Sequence, residues 1–212
     1  MISIKETTYK NFGKCLSIAN DSMEIYVTID IGPRIIKCNL LGKENLMFED
    51  IERKKAEDIS SVIGEGKFWI IYGVHRMRLS PEKYPETYYP DCEKVVYSVN
   101  QTGAVFDPPV QAVTGLQFSM SISMDETEPR FTVTHTVKNT KKDPVTGACW
   151  CLSVMDKNGA VIVPQPAENT GLLANRVLAL WPYTEMTDPR IFWGDRYIAL
   201  RQDPDIKKSI KF

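Results

Sequence analysis

The chain has 212 residues, of which 26 are Lys or Arg and 27 are Asp or Glu, giving a formal net charge of -1. This balance excludes the basic excess of nucleic-acid surfaces and provides no polybasic membrane patch. Four Trp, nine Tyr and eight Phe exclude a disordered chain, because they supply enough apolar surface to build a core. We therefore expect one folded domain over residues 1–212, with neither a nucleic-acid nor a membrane partner.

The start of the chain carries no basic cap and no long apolar run, so we expect no signal peptide and no membrane span. The five cysteines are an odd number at irregular spacing, which does not indicate a disulfide framework. Both observations predict a cytoplasmic protein.

Most of the chain alternates between apolar and polar residues. Residues 131–138 read Phe-Thr-Val-Thr-His-Thr-Val-Lys, which predicts a half-buried strand, and 25–31 and 118–123 follow the same pattern. Polar residues on the second face are typical of antiparallel sheets, and only 49–62 has the composition of a short surface helix. The sequence thus predicts an all-β sandwich or barrel. Further strands are predicted at 14–18, 34–41, 94–99, 145–155, 160–163, 175–181 and 196–201.

Residues 66–93 break this pattern. A strand is predicted to run to about Tyr72, and Pro81, Pro85 and Pro90 then predict a long, structured loop, because proline cannot donate to a β-ladder. The segment concentrates aromatic and charged side chains, which is typical of functional loops. These side chains are Trp69, Tyr72, His75, Arg76, Arg78, Glu82, Tyr84, Tyr88, Tyr89 and Asp91.

The composition of residues 69–91 suits a carbohydrate. Carboxylate and guanidinium groups hydrogen-bond sugar hydroxyls, and flat aromatic rings cover the apolar C–H faces. The alternative is a proline-rich loop whose tyrosines pack on the sandwich and whose charges are solvated. A second aromatic and charged stretch, residues 181–190 with Trp181 at its start, is either part of such a site or a packed turn.

The histidines and paired cysteines offer further candidates. His75 stands beside Arg76, where an imidazole either exchanges a proton near neutral pH or serves as a structural hydrogen-bond donor. His135 lies on the apolar face of its strand, which favours a hydrogen-bonded core residue, with a cleft between sheets as the alternative. Cys149 and Cys151 have a spacing that does not fit a zinc knuckle, so we predict buried, inert thiols and no metal site.

Several stretches of the sequence match one pattern. Residues 72–76 read Tyr-Gly-Val-His-Arg, 81–82 read Pro-Glu and 87–91 read Thr-Tyr-Tyr-Pro-Asp. Further matches are Leu-Trp-Pro-Tyr at 180–183, Asp-Pro-Arg at 188–190 and Gly-Asp-Arg-Tyr-Ile at 194–198. Together these motifs resemble a bacterial family of unknown function that is related to the galactose mutarotases, also called aldose 1-epimerases.

The resemblance implies a galactose-mutarotase-like β-supersandwich of antiparallel sheets with a sugar cleft on its concave face. Mutarotases move protons with a general acid and a general base. The histidine acid of those enzymes corresponds here to about residues 148–151, where Trp150 stands, and their base is a carboxylate near the end of a longer chain. The resemblance therefore implies a shortened member or a domain lacking its last strands, and we expect a homo-oligomer that covers the open sheet edge.

The residues and the resemblance together predict a protein that binds a small-molecule carbohydrate without a cofactor. His75 is the expected general acid or hydrogen-bond donor, and Glu82 or Asp91 is the expected base. The alternatives are a non-catalytic sugar-binding module, a structural or assembly β-sandwich, and a glycoside-active enzyme. The expected substrate-binding residues are Arg34, Trp69, Tyr72, Arg76, Arg78, Tyr88, Tyr89, Trp150 and Trp181.

Overall fold

The structure, a computed structural model, describes residues 1–52, 56–70, 74–84 and 86–212. The backbone divides into two compact units, Met1–Met155 and Asp156–Phe212, which we call the first unit and the second unit. The single domain over residues 1–212 stays a prediction, because two compact units can fold together or separately.

Strands dominate the regular structure of the described residues. Helical structure is limited there to a one-turn helix, α1 (Ser60–Ile63), and 3₁₀ turns at Lys10–Phe12 and Glu86–Tyr88. No helix in the described ranges is long and apolar enough to cross a membrane. The strands of the first unit are β1 (Ser3–Thr8), β2 (Lys14–Ala19), β3 (Met23–Thr28), β4 (Ile35–Leu40), β5 (Ala56–Asp58), β6 (Phe68–Ile70), β7 (Val74–Ser80), β8 (Val96–Val99), β9 (Gly103–Asp107), β10 (Leu116–Met124), β11 (Phe131–Asn139) and β12 (Ala148–Val154). Those of the second unit are β13 (Ala160–Pro164), β14 (Ile191–Trp193) and β15 (Tyr197–Arg201).

The first unit contains a six-stranded antiparallel sheet in the order β1-β2-β3-β4-β7-β12. Leu16 on β2 lies opposite Val27 on β3, and Ile18 lies opposite Ile25. All four side chains are buried, so this register places one apolar stripe on one face of the sheet.

A four-stranded antiparallel sheet, in the order β11-β10-β9-β8, covers that stripe. Phe106, Met120 and Ile122 from this sheet are buried in the same apolar cluster as Leu16 and Val27 of the six-stranded sheet. The core of the first unit therefore lies between two sheets, as in a β-sandwich. The predicted all-β fold of antiparallel sheets is confirmed at this level. We call the face of the six-stranded sheet that meets this core its inner face.

β7 carries several of the predicted site residues. It pairs with β12 from Val74 to Ser80, whereas among the described residues its pairing with β4 is confined to His75 opposite Ile35. The loop predicted after Tyr72 is therefore wrong for residues 74–80, because Pro81 follows the strand and does not interrupt it. Tyr72 and Pro85 lie outside the described residues.

The second unit contains a three-stranded antiparallel sheet in the order β13-β15-β14. Its buried apolar side chains include Ile191 and Ile198, and Arg190 holds Asp188 through two hydrogen bonds of 2.9 and 3.0 Å. The strand predicted at 175–181 is wrong: these residues pair with no ladder in the described structure, so the apolar run 177–181 alone did not make them a strand.

Replacing Phe106 with Ala should lower the free energy of unfolding by about 3–5 kcal/mol, because the ring is fully buried between the two sheets. Urea denaturation followed by circular dichroism measures this change. Val96→Ala is the matched control, since Val96 lies on β8 of the same sheet but is 72% exposed, and it should cost less than about 1 kcal/mol. Equal losses in both variants would contradict a core between these sheets.

Candidate functional site

Strand alternation divides the predicted site residues between the two faces of the six-stranded sheet. Arg76 and Arg78 lie on the outer face of β7, and Trp150 on β12 lies opposite Arg78. His75 lies on the inner face, and Ser153 of β12 lies opposite it. The expected site is thus two separate groups of side chains.

Asp91 joins Arg34, which lies just before β4, to Arg76 on β7. Its Oδ2 accepts a hydrogen bond from Nε of Arg34 at 3.0 Å and from Nη1 of Arg76 at 2.7 Å. The side chain of Arg34 is 2% exposed and that of Asp91 22%, so little water screens the interaction. Burial alone would raise the pKa of Asp91, but the charges of Arg34 and Arg76 hold that pKa below its usual value. Asp91 is therefore ionised at neutral pH and is a weak base. Its side chain forms hydrogen bonds with the guanidinium groups of Arg34 and Arg76.

Aromatic rings surround the outer-face arginines. The guanidinium carbon of Arg78 lies 5.0 Å from the ring centroid of Trp150 and 5.8 Å from that of Tyr88. The guanidinium carbon of Arg76 lies 5.7 Å from the ring centroid of Trp69, which makes an edge contact with Tyr88. These distances are within the range of cation–π attraction. We call Trp69, Arg76, Arg78, Tyr88 and Trp150 the arginine–aromatic cluster.

Arg78 is poorly neutralised. Its side chain is 14% exposed, and the nearest carboxylate oxygen in an ion pair with it is Oε1 of Glu82, 3.8 Å from Nη1. That same oxygen accepts a hydrogen bond of 2.5 Å from the Tyr88 hydroxyl. Burial lowers the pKa of Arg78, and the positive charge of Arg76 lowers it further. Arg78 is thus a buried cation that an additional anion would stabilise.

The arginine–aromatic cluster holds buried donors without acceptors. Nη2 of Arg76, Nε and Nη1 of Arg78, and Nε1 of Trp69 are all buried and have no hydrogen-bond partner among the described residues. Buried polar groups are nearly always paired, and each unpaired group costs about 1–3 kcal/mol. All of these atoms are donors in one cluster, and hydrogen-bond acceptors for them are lacking among the described residues.

A cleft lies along β7. Its volume is about 270 Å³, and residues within 83–84, 86–91, 111–118 and 141–146 form its other walls. Basic side chains outnumber acidic ones in its lining, with Arg76, Arg78, Lys83 and Lys141 against Glu86 and Asp91. A cavity of about 50 Å³ shares Arg76, Met77, Tyr89, Asp91, Gln111 and Phe118 with this cleft and also includes His135.

The two histidines meet on the inner face. Nε2 of His75 lies 2.8 Å from Nε2 of His135, and Nδ1 of His75 lies 2.9 Å from the Ser153 hydroxyl oxygen. Burial lowers the pKa of His75, and burial together with the charge of His75 lowers the pKa of His135 to about 4. Both rings are therefore neutral at pH 7. Ligand atoms of His75, His135 and Cys151 all lie within 4.8 Å of one another.

This inner-face group is what sequence reasoning missed. Alternation correctly placed His135 on the apolar side of β11, but nothing in the sequence indicated that β11 faces His75, 60 positions away. The prediction that Cys149 and Cys151 are buried is wrong, because both are exposed in the structure. β12 is an edge strand of the six-stranded sheet, and both thiols on it are open to solvent.

The remaining predicted residues are not all brought together. Glu82 contacts Tyr88 and Arg78 on the outer face, so it is not in hydrogen-bond contact with His75, its expected acid partner. The Tyr89 hydroxyl accepts a hydrogen bond from the Ala112 N–H at 3.2 Å, and Tyr89 lines the cleft.

Trp181 belongs to the second unit. There its ring lies 4.2 Å from Nζ of Lys211, which is a cation–π contact, and its backbone N–H donates to the Lys211 carbonyl.

Comparison of the chain with known protein families, curated proteins and solved structures finds no match.

Replacing Asp91 with Asn should lower the free energy of unfolding by about 3–5 kcal/mol, because two buried guanidinium groups lose their counter-charge. The pH dependence should change as well. A carboxylate whose folded pKa is depressed stabilises the fold above its unfolded pKa of about 3.9, and this contribution is lost as the pH falls through the folded pKa. Urea titrations at about pH 6 and about pH 3 should therefore show a smaller acid-induced loss in the variant than in the wild type.

Asp21→Asn is the control for this change. Asp21 pairs with the terminal amine at 3.6 Å and its side chain is 88% exposed, so the variant should alter stability by less than about 0.5 kcal/mol. If the acid-induced loss in the free energy of unfolding is the same in Asp91→Asn and in the wild type, Asp91 does not stabilise the fold through these arginines.

Proposed function

We propose that the first unit binds a small acidic carbohydrate, such as a sugar acid, in the cleft beside β7. One observation carries this proposal: buried donors of Arg76 and Arg78, two residues that line the cleft, have no hydrogen-bond acceptor among the described residues. A ligand that brings acceptor oxygens to these atoms would remove the cost of leaving them unpaired. The acid group of the ligand would meet the guanidinium groups, and its hydroxyls would meet the polar side chains of the cleft.

The charge of the cleft favours an acidic ligand over a neutral one. Asp91 already neutralises Arg34 and Arg76, whereas Arg78, Lys83 and Lys141 have no buried carboxylate partner among the described residues. Nε and Nη1 of Arg78 lack hydrogen-bond partners among the described residues, and each can donate to an oxygen of an acid group. A neutral aldose would leave the positive charge of Arg78 with only the partly exposed carboxylate of Glu82, at 3.8 Å.

The lining of the cleft favours a polyol over an inorganic anion. A volume of about 270 Å³ suits a molecule of the size of a monosaccharide. Tyr89, Phe118 and Met77 offer apolar surface for C–H groups, and Thr87, Thr114 and Gln111 offer hydrogen-bonding groups for hydroxyls. A phosphate or sulfate ion would use only the arginines.

The fold supports the same proposal. We propose that the first unit is a galactose-mutarotase-like supersandwich, and the two antiparallel sheets packed over one core are consistent with that architecture. The resemblance of residues 72–76 and 87–91 to a mutarotase-related family supports a sugar site in the segment that supplies Arg76, Tyr89 and Asp91.

Binding is better supported than catalysis. Ring opening needs an acid and a base that reach one sugar, and the expected pair is divided, with His75 on the inner face and Glu82 on the outer face. Anomer exchange is the second candidate function, and it is favoured by His135, which lines the cavity of about 50 Å³ next to the cleft. The two candidates differ in whether the bound sugar changes its anomeric form.

Saturation-transfer NMR tests the proposal with matched sugar pairs, glucose with glucuronate and galactose with galacturonate. The members of each pair differ only in the carboxylate, so transfer to the acids that exceeds transfer to the aldoses is the expected result. Exchange spectra recorded on the same samples show whether anomer interconversion accelerates. Transfer to no sugar would favour a structural or assembly role, and equal transfer to both members of a pair would contradict the role of Arg78.

Replacing Arg78 with Met should weaken binding of the sugar acid by about 10–100-fold, because a hydrogen-bonded charged contact contributes about 1.5–3 kcal/mol. The free energy of unfolding should fall by no more than about 1 kcal/mol, because Met fills similar space and removes unpaired buried donors. Titration calorimetry and urea denaturation measure the two effects.

Two further variants sharpen this result. Arg78→Lys keeps the charge but loses the planar fork, so its affinity should lie between those of the wild type and Arg78→Met. Arg130→Met removes an arginine whose side chain is 71% exposed and should leave binding unchanged. A large loss of stability with unchanged affinity in Arg78→Met would make Arg78 a structural residue only.

A further inference from the structure

Three strands bring together a set of metal-ligand side chains on the inner face. His75 comes from β7, His135 from β11 and Cys151 from β12. Cys151 lies opposite Met77, two residues from His75, so both share the inner face of the sheet. One ligand atom from each residue lies within 4.8 Å of the other two. The group is separate from the arginine–aromatic cluster, which lies on the outer face.

The donor atoms select a class of metal. Two imidazole nitrogens and one thiolate are ligands that Zn²⁺ and similar divalent transition metals prefer, whereas Ca²⁺ and Mg²⁺ require oxygen ligands. Three protein ligands would leave one tetrahedral position open for water or a substrate atom, as in catalytic zinc sites. The exposure of Cys151 gives solvent access to this place.

The distances suit a metal after a small adjustment. The two Nε2 atoms lie 2.8 Å apart, so both rings point toward the same region. Metal–nitrogen bonds of about 2.0–2.1 Å at a tetrahedral angle would place the two Nε2 atoms about 3.3 Å apart. The distance between them would therefore have to increase by about half an ångström. Side-chain rotation provides such a displacement without a change in the strands.

Ser153 supplies a second, independent feature of such sites. Its hydroxyl oxygen lies 2.9 Å from Nδ1 of His75, and the other ring nitrogen, Nε2, lies 2.8 Å from Nε2 of His135. Metal-binding histidines almost always hydrogen-bond through the nitrogen that does not bind the metal, because this fixes the tautomer and the ring orientation. Ser153 is well placed to do this for His75.

We infer that His75, His135 and Cys151 form a binding site for a divalent transition metal of the zinc type, with Ser153 as the residue that orients His75. The site takes one metal ion through both Nε2 atoms and the Cys151 sulfur. It does not depend on the proposed contact with the acid group, because Arg76 and Arg78 lie on the other face of β7.

Titration of the full-length, chelator-treated protein with Co²⁺ alone tests this inference. We expect saturation at one equivalent, with a thiolate-to-cobalt charge-transfer band in the near ultraviolet and tetrahedral d–d bands in the visible, and Zn²⁺ should displace the cobalt. Long-range ¹H–¹⁵N spectra of the histidines should show that Zn²⁺ shifts the Nε2 signals of both rings. A titration without these bands or shifts would overturn the inference and leave a metal-free histidine pair.

Variants identify the ligands. Cys151→Ser should abolish the charge-transfer band, while Cys149→Ser, which removes the other exposed thiol of the same strand, should retain it. His135→Gln should lower Zn²⁺ affinity by at least about 100-fold, and Ser153→Ala should lower it by about 10–100-fold. Circular dichroism of the metal-free variants verifies that each one folds. A band that survives Cys151→Ser, or that Cys149→Ser also removes, would contradict the proposed ligand set.

Discussion

The shared carboxylate of Asp91 is the interaction on which the rest of the first unit's site depends. Among the described residues, β7 pairs with β4 at one position, and side-chain contacts add to this pairing. Asp91 supplies such contacts by accepting hydrogen bonds from Arg34, just before β4, and from Arg76 on β7. Its backbone carbonyl also accepts a hydrogen bond from the Gly32 N–H, which ties Asp91 to the segment that leads into β4. A buried charge network of this kind is costly to break, because each partner would be left as an unpaired ion.

Strand alternation gives β7 two different chemical environments. On one face Arg76 and Arg78 lie among Trp69, Tyr88 and Trp150, where positive charge and unpaired donors dominate. On the opposite face, neutral imidazoles and a thiol converge. Since successive side chains of a strand point in opposite directions, residues next to each other in sequence serve separate sites.

The unpaired donors of the arginine–aromatic cluster lower the stability of the fold at the same residues that are proposed to bind the ligand. A protein optimised only for stability would fill the space around Arg78 with apolar side chains, because an unpaired buried guanidinium is unfavourable. Keeping several such donors in one cluster has a free-energy cost that a bound acid group would offset. The same reasoning applies to Trp69, whose ring packs against Tyr88 while its N–H lacks an acceptor. We regard this concentration of donors, more than the size of the cleft, as the physical basis for the proposed ligand class.

The sequence by itself determined the strands whose side chains alternate, such as β10 and β11, because a period of two depends only on neighbouring residues. It also identified segment 66–93 as the place where aromatic and charged residues are concentrated. In the structure Arg76 donates a hydrogen bond to Asp91, and both line one cleft with Arg78. Tertiary structure alone decided which strands pair and which faces meet. Residues 175–181 contain the apolar run 177–181 but have no partner strand among the described residues, and 74–80 form a strand despite the prolines that follow. The meeting of His75 with His135, and the exposure of Cys151, result from sheet packing between distant segments, and a local pattern contains no information about such contacts.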